Sequence, residues 1–221
     1  MRIKIKKMEE ALCNHPGSEK KVRTHRDPVD TLIRTILSQN TNDGLRDRAY
    51  TSLKKRFPTH DAIATADTAK IAESIKTCGL SRQKSQTIKR ALTRIKQEQG
   101  EISLAFLRPM ATEDAISYLK SIKGIGDKTA AIIMLFSFAR KTFPVDTHIQ
   151  RITKRMGLVP ASSSPDKIRT TIEPHISEHL AASLHTCLIS LGKNVCRPAN
   201  PSCSLCPLLS LCAFGKGGGL S

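Results

Sequence analysis

The sequence contains no tryptophan, and aromatic residues make up only 4% of it. No apolar run approaches the roughly 18 residues of a membrane span; the longest, Ala130 to Ala139, is about half that and is interrupted by Ser137. An integral helical membrane protein is therefore excluded. No basic amphipathic helix carries large aromatics, which argues against a membrane-surface protein as well. The basic start, Met1-Arg2-Ile3-Lys4-Ile5-Lys6-Lys7, is followed by neither an apolar stretch nor a cleavage site, so a secretory signal is not expected. No fixed-period repeat and no convincing strand pair is present. Acid is scarce: 19 Asp and Glu stand against 36 Lys and Arg, a net charge of +17, and residues 81–97 hold none.

Hydrophobic content of 39% beside 25% charged residues is that of a globular chain, and 221 residues suffice for one large or two small domains. The positive excess implies a polyanionic partner, nucleic acid or an anionic surface. Seven cysteines without a signal argue against a disulfide framework.

The periodicity is helical almost throughout. Leu32, Ile33, Ile36 and Leu37 form one apolar face, and Asp27-Pro28 is a start signal. Ile88, Ala91, Leu92 and Ile95 mark a helix over 82–96, with Ser81 as its expected cap. Its other faces carry Arg82, Lys84, Lys89, Arg90, Arg94 and Lys96, which suit either a solvated face or phosphate contact. Thr112 is expected to cap the next helix, ahead of Glu113 and Asp114 in its first turn. An apolar helix over about 127–139 and another over 147–156 ending at Gly157 follow. One more starts at Ser164-Pro165, and a last long one spans 177–191, closed by Gly192. The tail from 193 has little regular pattern.

Cys196, Cys203, Cys206 and Cys212 give C-x6-C-x2-C-x5-C among three prolines. So many soft ligands in one short segment indicate a metal or iron–sulfur site, and spacing alone does not separate zinc from a cluster. Cys13, Cys78 and Cys187 are isolated and are expected to be small buried hydrophobes.

Leu119-x2-Ile122-x-Gly124-Ile125-Gly126-x2-Thr129-Ala130 predicts helix, tight turn, helix. Two glycines bring backbone N–H groups to the surface beside a helix N-terminus, which makes a phosphate site with Lys123 nearby. Lys128 falls in the first turn of the second helix, where the dipole disfavours a cation, and partial burial would disfavour it further. Both favour the neutral, nucleophilic amine; the alternative is a surface lysine touching phosphate. Asp146, in Pro144-Val145-Asp146-Thr147-His148, suits either a helix cap or a carboxylate paired with Lys128.

Together these residues resemble the endonuclease III branch of the helix-hairpin-helix DNA glycosylases, over about residues 27–212. The resemblance rests on Leu37-Ser38-Gln39-Asn40-Thr41-Asn42-Asp43, Gly79-Leu80, Gly124-Ile125-Gly126-Asp127-Lys128-Thr129-Ala130, Val145-Asp146-Thr147-His148 and the cysteine spacing, in the family's order. It implies an all-α fold of two helical domains with a DNA groove between them. These are a six-helix hairpin domain over 23–140 and an iron–sulfur domain over 1–22 plus 141–221. It implies a [4Fe–4S] cluster on the four cysteines, a nucleophilic Lys128 and a catalytic Asp146, hence a bifunctional glycosylase and lyase; the alternatives are a mismatch or modified-base glycosylase without lyase activity and a non-catalytic DNA-binding module. DNA contacts are implied for Gln39, Asn40, Leu80, Lys123, Gly124, Ile125, Gly126, Thr129 and His148. The partner would be double-stranded DNA with damaged bases or abasic sites, bound by a monomer in the cytoplasm at the nucleoid, or in a eukaryotic nucleus. The family's gap-filling glutamine falls on Asn40, one methylene shorter, and its wedge leucine on Leu80. The loop between the first two cysteines, usually basic, holds only Arg197. Leu37-Ser38-Gln39-Asn40, Arg56-Phe57-Pro58 and Phe143-Pro144-Val145-Asp146 are also similar to plant 5-methylcytosine DNA glycosylases, but their large accessory regions are lacking and demethylation is not inferred.

Overall fold

The computed structural model describes residues 1–13 and 27–217. Among these, every regular element is helical. In chain order the α-helices are α1 Arg2–Cys13, α2 Pro28–Leu37, α3 Asp43–Arg56, α4 His60–Thr65, α5 Thr68–Ser74, α6 Ser81–Gln99, α7 Thr112–Ser121, α8 Asp127–Ser137, α9 Thr147–Arg155, α10 Pro165–Ile172, α11 Ala181–Asn194 and α12 Ala213–Lys216. Short 3-10 turns join several of them. No helix among the described residues is long and apolar enough to cross a membrane. The chain divides into two compact units: His25–Phe138, and Met1–Thr24 with Ala139–Ser221.

The first unit is built on α2, α6 and α8. The apolar stripe of α2 (Leu32, Ile33, Ile36, Leu37) and that of α6 (Ile88, Ala91, Leu92, Ile95) are buried in one core with Leu53, Ile63, Ile71 and Leu119. From Thr129 to Ser137, α8 is buried except at Ile132, as expected of a helix that is apolar all round. Ser137, the polar break in that run, donates to the Thr31 hydroxyl at 3.0 Å, which in turn donates to the Asp27 carbonyl at 2.8 Å. Caps follow local chemistry: the side chains of Asp27, Asn42, Thr59 and Asp67 accept from the first turns of α2, α3, α4 and α5.

Two expected caps are not caps. Leu80, in left-handed conformation, precedes α6, so Ser81 is already helical and no side chain caps this helix. Ala111 precedes α7, making Thr112 its first helical residue; Glu113 and Asp114 do sit in the first turn.

In the second unit α1 buries Ile5, Met8 and Leu12. Glu9, 1% exposed, accepts from the backbone N–H and the hydroxyl of Ser177 at 2.6 and 2.9 Å. This carboxylate ties the N-terminal helix to the approach to α11. The last long helix begins at Ala181 and runs through Gly192 instead of stopping there. A Cβ at Gly192 would lie 2.6 Å from the His148 Cβ, so the glycine permits a close helix approach and does not terminate the helix.

Candidate functional site

The hairpin joins α7 to α8. Gly124 has φ +101, and a Cβ there would fall 2.7 Å from Thr87 Cγ2 on α6. Gly126 differs: its backbone is extended, and an added Cβ would meet nothing within 4 Å. No side chain caps α8, which leaves the hairpin presenting the backbone N–H groups of a helix start. Lys123, Gly124, Gly126 and Lys128 are exposed. Ile125 and Thr129 are buried, at 4% and 5% exposure, so their side chains belong to the packing and only their backbone belongs to the hairpin surface. Lys128 is the second residue of α8. Its exposure removes the burial that the sequence reading invoked against its ammonium.

Two further tips belong to the same unit. Gln39 and Asn40 are exposed where α2 ends, and Asn40 is left-handed at φ 51. Leu80 is left-handed at φ 49, follows the left-handed Gly79, and is 52% exposed. About half of this large apolar side chain is thus presented to solvent at a loop tip.

Most basic side chains of α6 already have acceptors within this unit, while Arg82 is exposed. Lys84 Nζ donates to the carbonyls of Leu37 and Cys78, Lys89 to that of Ala66 at 2.8 Å, Arg90 to that of Lys123 at 3.3 Å, and Arg94 to that of Ser121 at 2.7 Å. Lys96 pairs with Asp61. Carbonyls at helix ends lack intrahelical partners and carry the negative end of the dipole, so they compete with phosphate for these cations. Arg90 and Arg94 thereby brace the hairpin from behind.

Helix α9 carries the second set. Asp146 is its cap, Oδ1 accepting from Ile149 N at 2.8 Å. That bond uses one carboxylate oxygen, so capping and chemistry are compatible in one side chain. His148 Nδ1 lies 3.1 Å from an Arg151 guanidinium nitrogen. A guanidinium only donates, so Nδ1 accepts and the neutral ring carries its proton on Nε2. Arg151 also donates to the carbonyls of Cys196 and Gly192, both at 2.9 Å.

Cys196, Cys203, Cys206 and Cys212 line one small cavity together with Arg155, Val195, Leu209 and Phe214. Burial, then the charges of the other three cysteines, push the Cys206 thiol above the ordinary range. Thiolates gathered in this way repel one another unless a cation lies between them, so the donor set fits a thiophilic metal group. Among the described residues the donors grouped within 4.8 Å of one another are Asp27, Asp30 and His60, not these sulfurs.

Arg155, one turn beyond Arg151, contacts this cage from its side. Its Nη1 lies 3.4 Å from Cys196 Sγ, it donates to the carbonyls of Arg197 and Pro198 at 2.7 and 2.8 Å, and it stacks 4.6 Å from the Phe214 ring centre. Arg197 turns back onto its own loop, donating to the Asn200 carbonyl and the Ser202 hydroxyl. The sequence reading missed Arg151 and Arg155, which lie more than 40 positions from the first cysteine, so no local signal marks them. Cys78 is buried as expected. Cys13 and Cys187 are half-buried and are not isolated: their thiols hydrogen-bond, which lowers Cys187 to about 7 and raises Cys13. Lys128 lies in the first unit and Asp146, His148 and the cysteines in the second.

A family model described as HhH-GPD superfamily base excision DNA repair protein matches residues 33–177. The chain belongs to that superfamily, within its endonuclease III family. An endonuclease III of Sulfolobus acidocaldarius is 31% identical over 186 residues, covering 83% of this chain and 81% of that protein. An Arabidopsis thaliana protein named as a DNA glycosylase is 33% identical over 190 residues, covering 82% of this chain; the match spans 65% of that protein's length. A solved structure of a trapped endonuclease III–DNA covalent intermediate superposes with a TM-score of 0.82 at 24% identity over 98% of each chain, a likeness of fold. The all-α architecture is that of the HhH-GPD DNA glycosylases of base excision repair.

Proposed function

We propose that this HhH-GPD protein is a bifunctional glycosylase and abasic-site lyase acting on double-stranded DNA with damaged bases, oxidised pyrimidines foremost. The observation that carries the reading is Lys128, an exposed amine in the first turn of an uncapped helix immediately after a glycine hairpin. Backbone N–H groups of the hairpin, with Lys123, hold phosphate oxygens without reading sequence. The target nucleotide leaves the stack, at a cost of a few kcal/mol that damage reduces, while Leu80 and Asn40 occupy the vacated space.

Lys128 Nζ, as the neutral amine, forms a bond to the sugar C1′; the C1′–N bond breaks, and the base departs with the electron pair and takes up a proton. The Asp146 carboxylate stabilises the positive charge that develops on the sugar and accepts the proton shed by the amine. Ring opening then gives the Schiff base. Removal of a C2′ proton and departure of the 3′ phosphate oxygen with its bonding pair cut the strand on the 3′ side. His148, with Nε2–H outward from Arg151, is a phosphate donor in this reading. Cys196, Cys203, Cys206 and Cys212 would hold a [4Fe–4S] cluster, which when bound supplies folding energy to the tail. The preference for a cluster over zinc rests on the resemblance to the endonuclease III family.

Borohydride reduction in the presence of abasic or oxidised-pyrimidine DNA tests it. Wild type is expected to give a covalent adduct and Lys128→Ala none. No adduct from wild type, or an adduct that survives in Lys128→Ala, overturns the lyase assignment. Base release without strand cleavage would point to a glycosylase that lacks the lyase step.

A further inference from the structure

Lys84 is 2% exposed in a helix whose other cations reach the surface or the rim of the core. Its Nζ donates to two backbone carbonyls from separate parts of the chain, Leu37 at 2.9 Å and Cys78 at 2.7 Å. Leu37 is the last residue of α2, three residues before Asn40; Cys78 ends the 3-10 turn Lys76–Cys78, two residues before Leu80. Helix-end carbonyls are those without an intrahelical partner, and one amino group that grips two of them fixes the distance between the segments they terminate. Each segment then leads into an exposed, left-handed, non-glycine residue, Asn40 at φ 51 and Leu80 at φ 49. Backbone of that kind persists only where its surroundings over-determine it, and it clusters at functional positions.

We propose that Lys84 is a positioning residue: it sets the separation and direction of the Asn40 and Leu80 tips so that both enter the DNA stack in one step. It touches neither DNA nor the reacting sugar, and acts only through those two loops. Deletion of the amino group would leave two buried carbonyls without their donor and free the loops to drift independently. The proposal rests on the DNA glycosylase reading, and the test separates the two.

The probes are an undamaged duplex and one carrying a tetrahydrofuran abasic analogue opposite 2-aminopurine, whose fluorescence reports filling of the gap. Lys84→Met keeps length and apolar fit but removes the donor. It is expected to lower affinity for the abasic duplex roughly tenfold and to reduce the fluorescence change, with affinity for undamaged duplex held within about twofold. In an Asn40→Ala/Leu80→Ala background the same substitution is expected to cost nothing more, because the residues through which it acts are gone. Equal losses on both duplexes, or a loss that persists in that background, overturn the proposal. If circular dichroism shows that Lys84→Met does not fold, Lys84→Gln, which keeps a donor for one carbonyl, carries the same cycle. Failure of both to fold assigns the two bonds to stability alone and likewise overturns it. If wild type itself does not prefer the abasic duplex, the glycosylase reading falls and takes this proposal with it; if wild type does and the variants keep the preference, only the positioning role falls.

Discussion

Gly124 and Gly126 show how one residue type serves two purposes within a single turn. At Gly124 the positive φ and the Thr87 side chain both demand the absence of a Cβ. Gly124→Ala should therefore destabilise the protein by about 2 kcal/mol or more in urea unfolding, since Thr87 is β-branched and held in α6. At Gly126 nothing in the fold demands glycine. Gly126→Ala should leave stability within about 0.5 kcal/mol and yet weaken binding to undamaged duplex several-fold, because a methyl group would stand where a phosphate approaches the backbone. Unchanged affinity would remove the hairpin from the DNA interface. Asp30 offers a residue-scale test against pH. The hydrogen bond from His60, at 2.8 Å, lowers it from 3.8 to about 2, with help from Tyr50 and against partial burial. A carboxyl lowered in the folded state binds its proton more readily once unfolded. Its stabilisation is thus complete above about pH 4 and fades as pH falls towards 2. Thermal melts of wild type should lose that increment across this window, and Asp30→Asn should lack it at every pH.

At the scale of elements, α6 and α9 use their cations alike. Each directs basic side chains at the carbonyls of other segments: α6 at the ends of α2, α4 and α7, and α9 at the cysteine loop. Arg155 joins two of these functions, holding the carbonyls of Arg197 and Pro198 while its guanidinium lies against Cys196 Sγ. Groups that orient metal ligands contribute strongly to retention of the metal, and loss of one typically costs 10- to 100-fold in affinity, or roughly tenfold at the least. Arg155→Ala should therefore lose iron faster than wild type during dialysis against a chelator, with the rate followed by visible absorbance. Retention equal to wild type would reduce Arg155 to a loop contact. Purification of colourless protein with stoichiometric zinc would refute the cluster assignment itself.

For the whole molecule, +17 overstates the charge offered to DNA. Lys84, Lys89, Arg90, Arg94, Arg151, Arg155 and Arg197 are already committed to carbonyls. Each phosphate neutralised contributes about −0.9 to the slope of log K against log salt, so about five contacts would give a slope near −4.5. A titration of duplex binding from low to high salt should therefore yield a slope far shallower than the net charge suggests. A value near −15 would mean that the inward-facing cations abandon their carbonyls on binding.

What the chain determined on its own was local. The cysteine spacing, the hairpin glycines, the apolar stripes of α2 and α6 and the caps at Asp27, Asp146 and Ser164 each lie within a few residues of what they act on, so their chemistry was written in order along the sequence. Tertiary structure decided where the cations point. Lys84 meets Leu37 across 47 positions and Arg155 meets Cys196 across 41, and contacts of that reach leave no period to read. A lysine destined for a phosphate and one destined for a buried carbonyl are the same letter, and only packing determines which acceptor lies within 3 Å of it. Gly192 was misread for the same reason: the His148 side chain that requires it arrives from another helix, and nothing beside it in the chain announces that neighbour.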